Sequence, residues 1–150
     1  MTSSQELASL RKMGFASAVI PAFNELPITS LAWLGDAVYE LYVRQNLFLT
    51  CRSKSGQLHK LALRYVSAEA QAEAAGVLYD TLTDEDQALF QRARNTKPKS
   101  RAKNADPRSY ALATAVEAVI AKIYLSGDLP YLERSLKLIY EVLESEQRDS

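Results

Sequence analysis

Apolar side chains recur three and four positions apart over most of this chain, and glycine and proline are nearly absent from inside the periodic stretches. A period of 3.6 residues puts such side chains on one helix face, and no segment keeps the strict alternation of a half-buried strand. The pattern predicts an all-α fold of about seven helices. The first covers Gln5 to Met13 behind Ser3 or Ser4 as N-cap, and a loop through Pro21 and Pro27 follows. The second spans about Thr29 to Leu47, with Leu31, Leu34, Val38, Leu41 and Tyr42 as its apolar stripe. A third runs from Ser55 to Val66, and Ser67 caps an alanine-rich fourth. Thr83, with Asp86 three residues later, resembles a capping box and opens a fifth, whose last turn holds Arg92 and Arg94. Asp106 and Pro107 form an N-cap and first-turn pair for a sixth, which stops near Ser126 and Gly127. The last runs from about Pro130 to Glu146, and the acidic end, residues 145–150, is expected to fray.

With 150 residues, 47% of them hydrophobic, these helices can share one core and form a single domain over residues 1–150. A chain of this size buries roughly two-thirds of the surface it exposes when unfolded. The single cysteine, Cys51, excludes an internal disulfide framework, and with the lone His59 it cannot build a common zinc site. Neither Cys51 nor His59 stands in a pattern that marks a nucleophile or a base. Acids and bases interrupt every long apolar stretch, and the N-terminal segment lacks an uninterrupted apolar run of signal-peptide type. A cytoplasmic protein without a membrane partner is expected.

Net charge is formally zero, which by itself argues against a nucleic-acid binder. The charges are segregated, however. Arg92, Arg94, Lys97, Lys99, Arg101, Lys103 and Arg108 share a stretch whose only acid is Asp106, and residues 96–105 read as an exposed basic loop. Such a run is either a solvated surface loop or a phosphate-binding one.

Two acids interrupt otherwise apolar helix faces. Asp36 follows Gly35 inside SLAWLGDAVYELYVR, and Glu117 lies in ALATAVEAVIAKIYL, the most apolar helix of the chain. A buried carboxylate without a partner is costly. If the two helices pack, Gly35 permits close approach, the carboxylates face each other, and a hard divalent cation neutralises both. Mg²⁺ suits such a site because it takes oxygen ligands, keeps several waters and is held by one or two carboxylates plus substrate phosphates. The plainer reading of either acid is solvation, or pairing with Arg or Lys. Glu40, one turn after Asp36, is either a hydrogen-bonding support for the site or simply solvated.

The segment LAWLGDAVYELYVR resembles the signature helix of the ribonuclease III family, and ALATAVEAVIAKIYL its second conserved helix, in matching order and spacing. HKLALRYVSAEAQA and NTKPKSRAKNADPRSYALATAVEA resemble the Mini-ribonuclease III subfamily in particular; the similarity covers Ile28 to Leu125. The resemblance implies a compact helical domain that forms a homodimer. Each active site would cut one strand of double-stranded RNA, leaving 5′-phosphates and short 3′ overhangs. It carries the family's metal-binding aspartate to Asp36 and its glutamate to Glu117, which would be the catalytic residues holding Mg²⁺, with Mn²⁺ as a substitute. Thr29 and Ala32 stand where larger members have glutamates, and Thr114 where they have an aspartate, so fewer carboxylates surround the metal, as in the subfamily. Thr114, like Glu40, could then support the site at one remove.

No separate double-stranded RNA-binding domain is expected, so the resemblance assigns RNA contact to Lys97, Lys99, Arg101, Lys103 and Arg108. It also assigns Trp33 and Tyr39, on the signature helix, to the dimer interface. The substrate it suggests is the large-subunit (23S) ribosomal RNA precursor, with a ribosomal protein as a possible presenting partner. Two other readings are a catalytically silent ribonuclease III fold used as an RNA-binding module, and a helical dimeric scaffold without RNA. Retention of both acids opposes the first, and the cationic loop opposes the second.

Overall fold

The computed structural model describes residues 22–52, 54–96 and 106–148. Among them are a 3₁₀ turn at Phe23–Glu25 and six α-helices: α1 (Ile28–Thr50), α2 (Ser55–Val66), α3 (Ala68–Thr81), α4 (Asp84–Arg94), α5 (Pro107–Ser126) and α6 (Leu129–Arg148). The expected helix at Gln5 to Met13 lies outside the described residues.

Helix boundaries follow the capping chemistry. Ser67 Oγ accepts from the Ala70 amide at 3.2 Å, Thr83 Oγ1 from the Asp86 amide at 3.2 Å, and Asp106 Oδ2 from the Ser109 amide at 3.2 Å. Each satisfies an amide that a helix start leaves unpaired. Gly127 ends α5 at φ 76°, a conformation that glycine adopts without a Cβ penalty. The C-terminal segment expected to fray is helical as far as Arg148, where α6 ends. Glu, Gln and Arg are good helix formers, and buried Leu143 anchors the preceding turn.

Helix α5 is the hub. It packs on α1, α3, α4 and α6, and its Leu112, Ala115, Val116, Ala118, Val119 and Ile120 are all buried. A helix that is apolar nearly all round must be enclosed, and alanine at the contacts lets neighbours come close. By length and mean hydropathy of 1.2 this helix could also cross a membrane; here its apolar surface is taken up by the other helices.

The buried face of α1 is not the expected stripe. It consists of Ile28, Leu31, Ala32, Gly35, Tyr39, Val43 and Leu47, stepping mostly by four. Leu34, Val38 and Tyr42 lie on its flank and Leu41 is 57% exposed. The helix carries two apolar stripes, of which the periodicity reading took the outer; the small residues on the other, which allow the closest approach to α5, make it innermost.

Beyond the apolar core, Asp86 is fully buried beside Lys122, with Oδ1 at 2.8 Å from Nζ, and its Oδ2 accepts from the Tyr131 hydroxyl at 2.8 Å. This ties α4, α5 and α6 together through a charge pair that each helix alone could not bury.

Candidate active site

Helices α1 and α5 make the most extensive contact in the fold, and at its centre their backbones meet at Gly35. A Cβ there would collide with the Glu117 carbonyl oxygen and come within 2.5 Å of its carbonyl carbon and 3.0 Å of its Cα. Only glycine permits this approach. The next residue, Asp36, is exposed at the edge of the same contact, and Glu117 is half-buried. Their carboxyl groups lie within hydrogen-bonding reach of each other.

Burial, the charge of Asp36 and a hydrogen bond to it together push the Glu117 carboxyl up to about 9. Two carboxyls in contact cannot both ionise cheaply, so without a counter-charge Glu117 keeps its proton at neutral pH. A divalent cation would take the place of that proton. Among the described residues no group of three or more His, Cys, Asp or Glu is placed to hold a metal ion, so the site offers two carboxylates. That suits a hard ion completing its shell with water and phosphate oxygens.

The pair opens into a cleft of about 340 Å³ that Thr29, Trp33, Gln71, Tyr110 and Thr114 also line. Thr114 is thus beside the carboxylates, but its hydroxyl donates to the Tyr110 carbonyl on its own helix at 2.9 Å. Glu40 corrects the expectation of a supporting role. Its Oε1 pairs with Arg44 one turn on, accepting from Nη2 at 2.7 Å and from Nε at 3.2 Å. This is the common fate of an acid four residues before an arginine.

Trp33 is 80% exposed at the cleft rim. Tyr39 is the second correction: it is fully buried, and its hydroxyl donates to the Tyr65 carbonyl at 2.5 Å. It faces α2 and the core and cannot meet another subunit. The side chain on the outer flank that could do so is Leu41, beside an apolar groove formed with Leu34, Val38, Leu132 and Leu136.

Arg108 is exposed in the first turn of α5, nine residues before Glu117, or roughly 13 Å along the axis. Lys97, Lys99, Arg101 and Lys103 lie outside the described residues. His59 is exposed on α2 and Cys51 is a half-buried free thiol at the C-cap of α1. Sequence reasoning passed over a second cationic segment. Residues 51–68 contain Arg52, Lys54, Lys60 and Arg64 and no acid, all four are exposed, and Val66 and Ala68 at the end of the segment line the cleft. The absence of any acid over this length was the available signal.

A family model for the ribonuclease III domain matches residues 29–128. The chain is 44% identical over 116 residues to Mini-ribonuclease 3 of Brevibacillus brevis, covering 77% of this chain and 87% of that one. It is 39% identical over 122 residues to that of Symbiobacterium thermophilum, covering 81% and 94%. A crystal structure of a Fusobacterium nucleatum protein superposes with a TM-score of 0.71 at 25% identity, over 81% of this chain and 98% of that one.

Proposed function

Because the chain belongs to the ribonuclease III family, in its Mini-ribonuclease 3 branch, we propose that Asp36 and Glu117 are its metal-binding catalytic residues. It is an endoribonuclease of double-stranded RNA. The observation that carries the site assignment is the carboxyl pair held across the glycine contact, with Glu117 retaining a proton that a cation can replace. Mg²⁺ is the proposed ion, with Mn²⁺ as substitute. When bound it supplies an activated water and neutralises charge developing on the scissile phosphate.

The chain's own residues do the rest. Asp36 and Glu117 fix the position of the ion because they sit on two helices that cannot slide past the Gly35 contact. Exposed Arg52, Lys54, Lys60 and Arg64 offer phosphate contacts leading to the cleft, and Arg108 offers another from α5. The basic residues Lys97, Lys99, Arg101 and Lys103 are proposed to extend that surface. Shape and phosphate recognition of this kind suits an A-form duplex.

The finer reading is a cytoplasmic, single-domain enzyme that matures the large-subunit (23S) ribosomal RNA precursor, aided in substrate presentation by a ribosomal protein; it follows from the subfamily resemblance. Its test is accumulation of that precursor when the protein is depleted. The catalytically silent alternative is disfavoured because binding alone has no need of two carboxyls brought together at an energetic cost.

The activity is tested with a long RNA duplex, in Mg²⁺ and in chelator, against a DNA duplex of the same sequence. Nicking of the RNA alone, dependent on the metal and leaving 5′-phosphates, is expected. Binding without cleavage in either Mg²⁺ or Mn²⁺ would replace the enzyme by the binding module.

The working unit is proposed to be a homodimer joined through the outer flank of α1. Leu41 is exposed there beside the apolar groove, and Trp33 is exposed on the same helix at the cleft rim; apolar surface of this kind is typical of subunit contacts. Sedimentation should give twice the 16.7 kDa chain mass, and Leu41→Asp should shift it to the monomer. A monomeric parent at micromolar concentration would overturn the dimer.

A further inference from the structure

The cleft wall contains a buried acceptor that the reading above leaves unused. Gln71 is 2% exposed, on the first turn of α3. Its Nε2 donates to the Val66 carbonyl at 3.2 Å, one of the carbonyls that the end of α2 leaves without a helical partner. That bond fixes which way the amide lies, since turning it over would set two oxygens against each other. The other amide atom, Oε1, is buried and has no donor among the described residues. An unmet acceptor in a wall that leucine or methionine could fill is costly, and it requires a donor in the working state.

We propose that Gln71 is a positioning residue for the divalent ion of the Asp36 and Glu117 site, with Oε1 accepting a hydrogen bond from the ion's hydration shell. The inference rests on the metal-site reading above. Gln71 lines the same cleft as both carboxyls. A hard ion held by only two carboxylates retains several waters, and each brings hydrogens that need acceptors. Neighbouring Thr114 does not supply a donor to Gln71, because its hydroxyl hydrogen goes to the Tyr110 carbonyl. A ribose hydroxyl of the duplex is the poorer candidate donor, because Oε1 is buried in the metal-free protein and a single water needs a smaller adjustment of the wall to reach it than a nucleotide does. An amide also accepts from and orients a water without a third negative charge, which would strengthen cation binding but would have no counter-charge in the metal-free protein. Outer partners of this kind typically alter metal affinity 10–100-fold.

The test is Mn²⁺ titration of RNA-free protein, followed by calorimetry, for the parent, Asp36→Asn, Gln71→Met and Gln71→Glu. Thermal melting without metal is measured alongside. Gln71→Met should bind Mn²⁺ about ten-fold more weakly while melting within a few degrees of the parent. Gln71→Glu keeps an acceptor and adds charge but gives up the bond to the Val66 carbonyl, so it should melt lower yet bind Mn²⁺ several-fold more tightly, and it serves alone if the methionine variant does not fold. A purely structural amide predicts the reverse: a lower melting temperature for Gln71→Met with unchanged Mn²⁺ affinity, which overturns the proposal and leaves the metal site standing. Equal Mn²⁺ binding by the parent and Asp36→Asn, or none by the parent, overturns the metal site and this inference together.

Discussion

Gly35→Ala should destabilise the protein by about 3 kcal/mol, although alanine is the better helix former by roughly 1 kcal/mol. The sign is decided by what the added methyl meets. At Gly35 it meets the Glu117 carbonyl group and Cα, which are backbone atoms in the middle of the central helix and cannot swing aside as a side-chain tip would. The two helices must separate by about an ångström or more, opening the most extensive contact in the core, and overpacking of this sort costs about 1–3 kcal/mol or more. Separation also pulls Asp36 away from Glu117, so cleavage should fall by at least ~100-fold even in the fraction that folds, a misplacement of ~1 Å being enough. Gly76→Ala is the internal control. It is exposed on α3 and a methyl there meets nothing within 4 Å, so only the helix-propensity gain remains and stability should rise by about 0.5–1 kcal/mol. Urea unfolding of the two variants with an unchanged slope reads both numbers. A Gly35→Ala protein as stable as the parent would mean that α1 and α5 do not touch backbone to backbone.

The same contact explains what could and could not be read from the sequence. Helix positions were legible because their signals are local: Ser67, Thr83, Asp106 and Gly127 each cap or close a helix where their chemistry suggested. The Asp36 and Glu117 pairing was legible because an acid on an apolar helix needs a partner and a glycine beside it marks close approach. The inner face of α1 was not legible, since Leu34 and Val38 are as apolar as Leu31 and Tyr39, and only the tertiary contact with α5 chooses between the two stripes. Tyr39 was carried to the dimer interface by the resemblance, which does not say which side of α1 faces the core. Gln71 gave no sequence signal, because a glutamine on an alanine-rich helix looks solvated until α2 and α5 are seen to cover it.

Asp36→Asn and Glu117→Gln should each reduce duplex cleavage by at least ~10³-fold, about 4 kcal/mol of transition-state stabilisation, since each removes one of only two protein carboxylates in the site. The two variants differ in how they change the metal-free protein, and that difference identifies the pair. Glu117 is raised from 4.5 to about 9, first by burial and then by Asp36. The folded chain therefore holds this proton more tightly than the unfolded chain. The stabilisation it brings is fully present below the unfolded value and is lost as pH rises from about 4.5 through about 9. Glu117→Gln imitates the protonated side chain at every pH. It should lack that decline and at pH 9 exceed the metal-free parent by about 2 kcal/mol or more. Asp36→Asn removes the neighbouring charge and leaves the burial, so the decline should persist in weaker form. With saturating Mg²⁺ the order reverses: the ion competes with the proton, so the parent should gain affinity for it as pH rises while Glu117→Gln gains little. Denaturant melts from pH 5 to 9, with and without metal, measure all three curves. Parallel curves for the parent and Glu117→Gln would remove the coupled carboxyl pair, and with it the reason for placing a cation between these two helices.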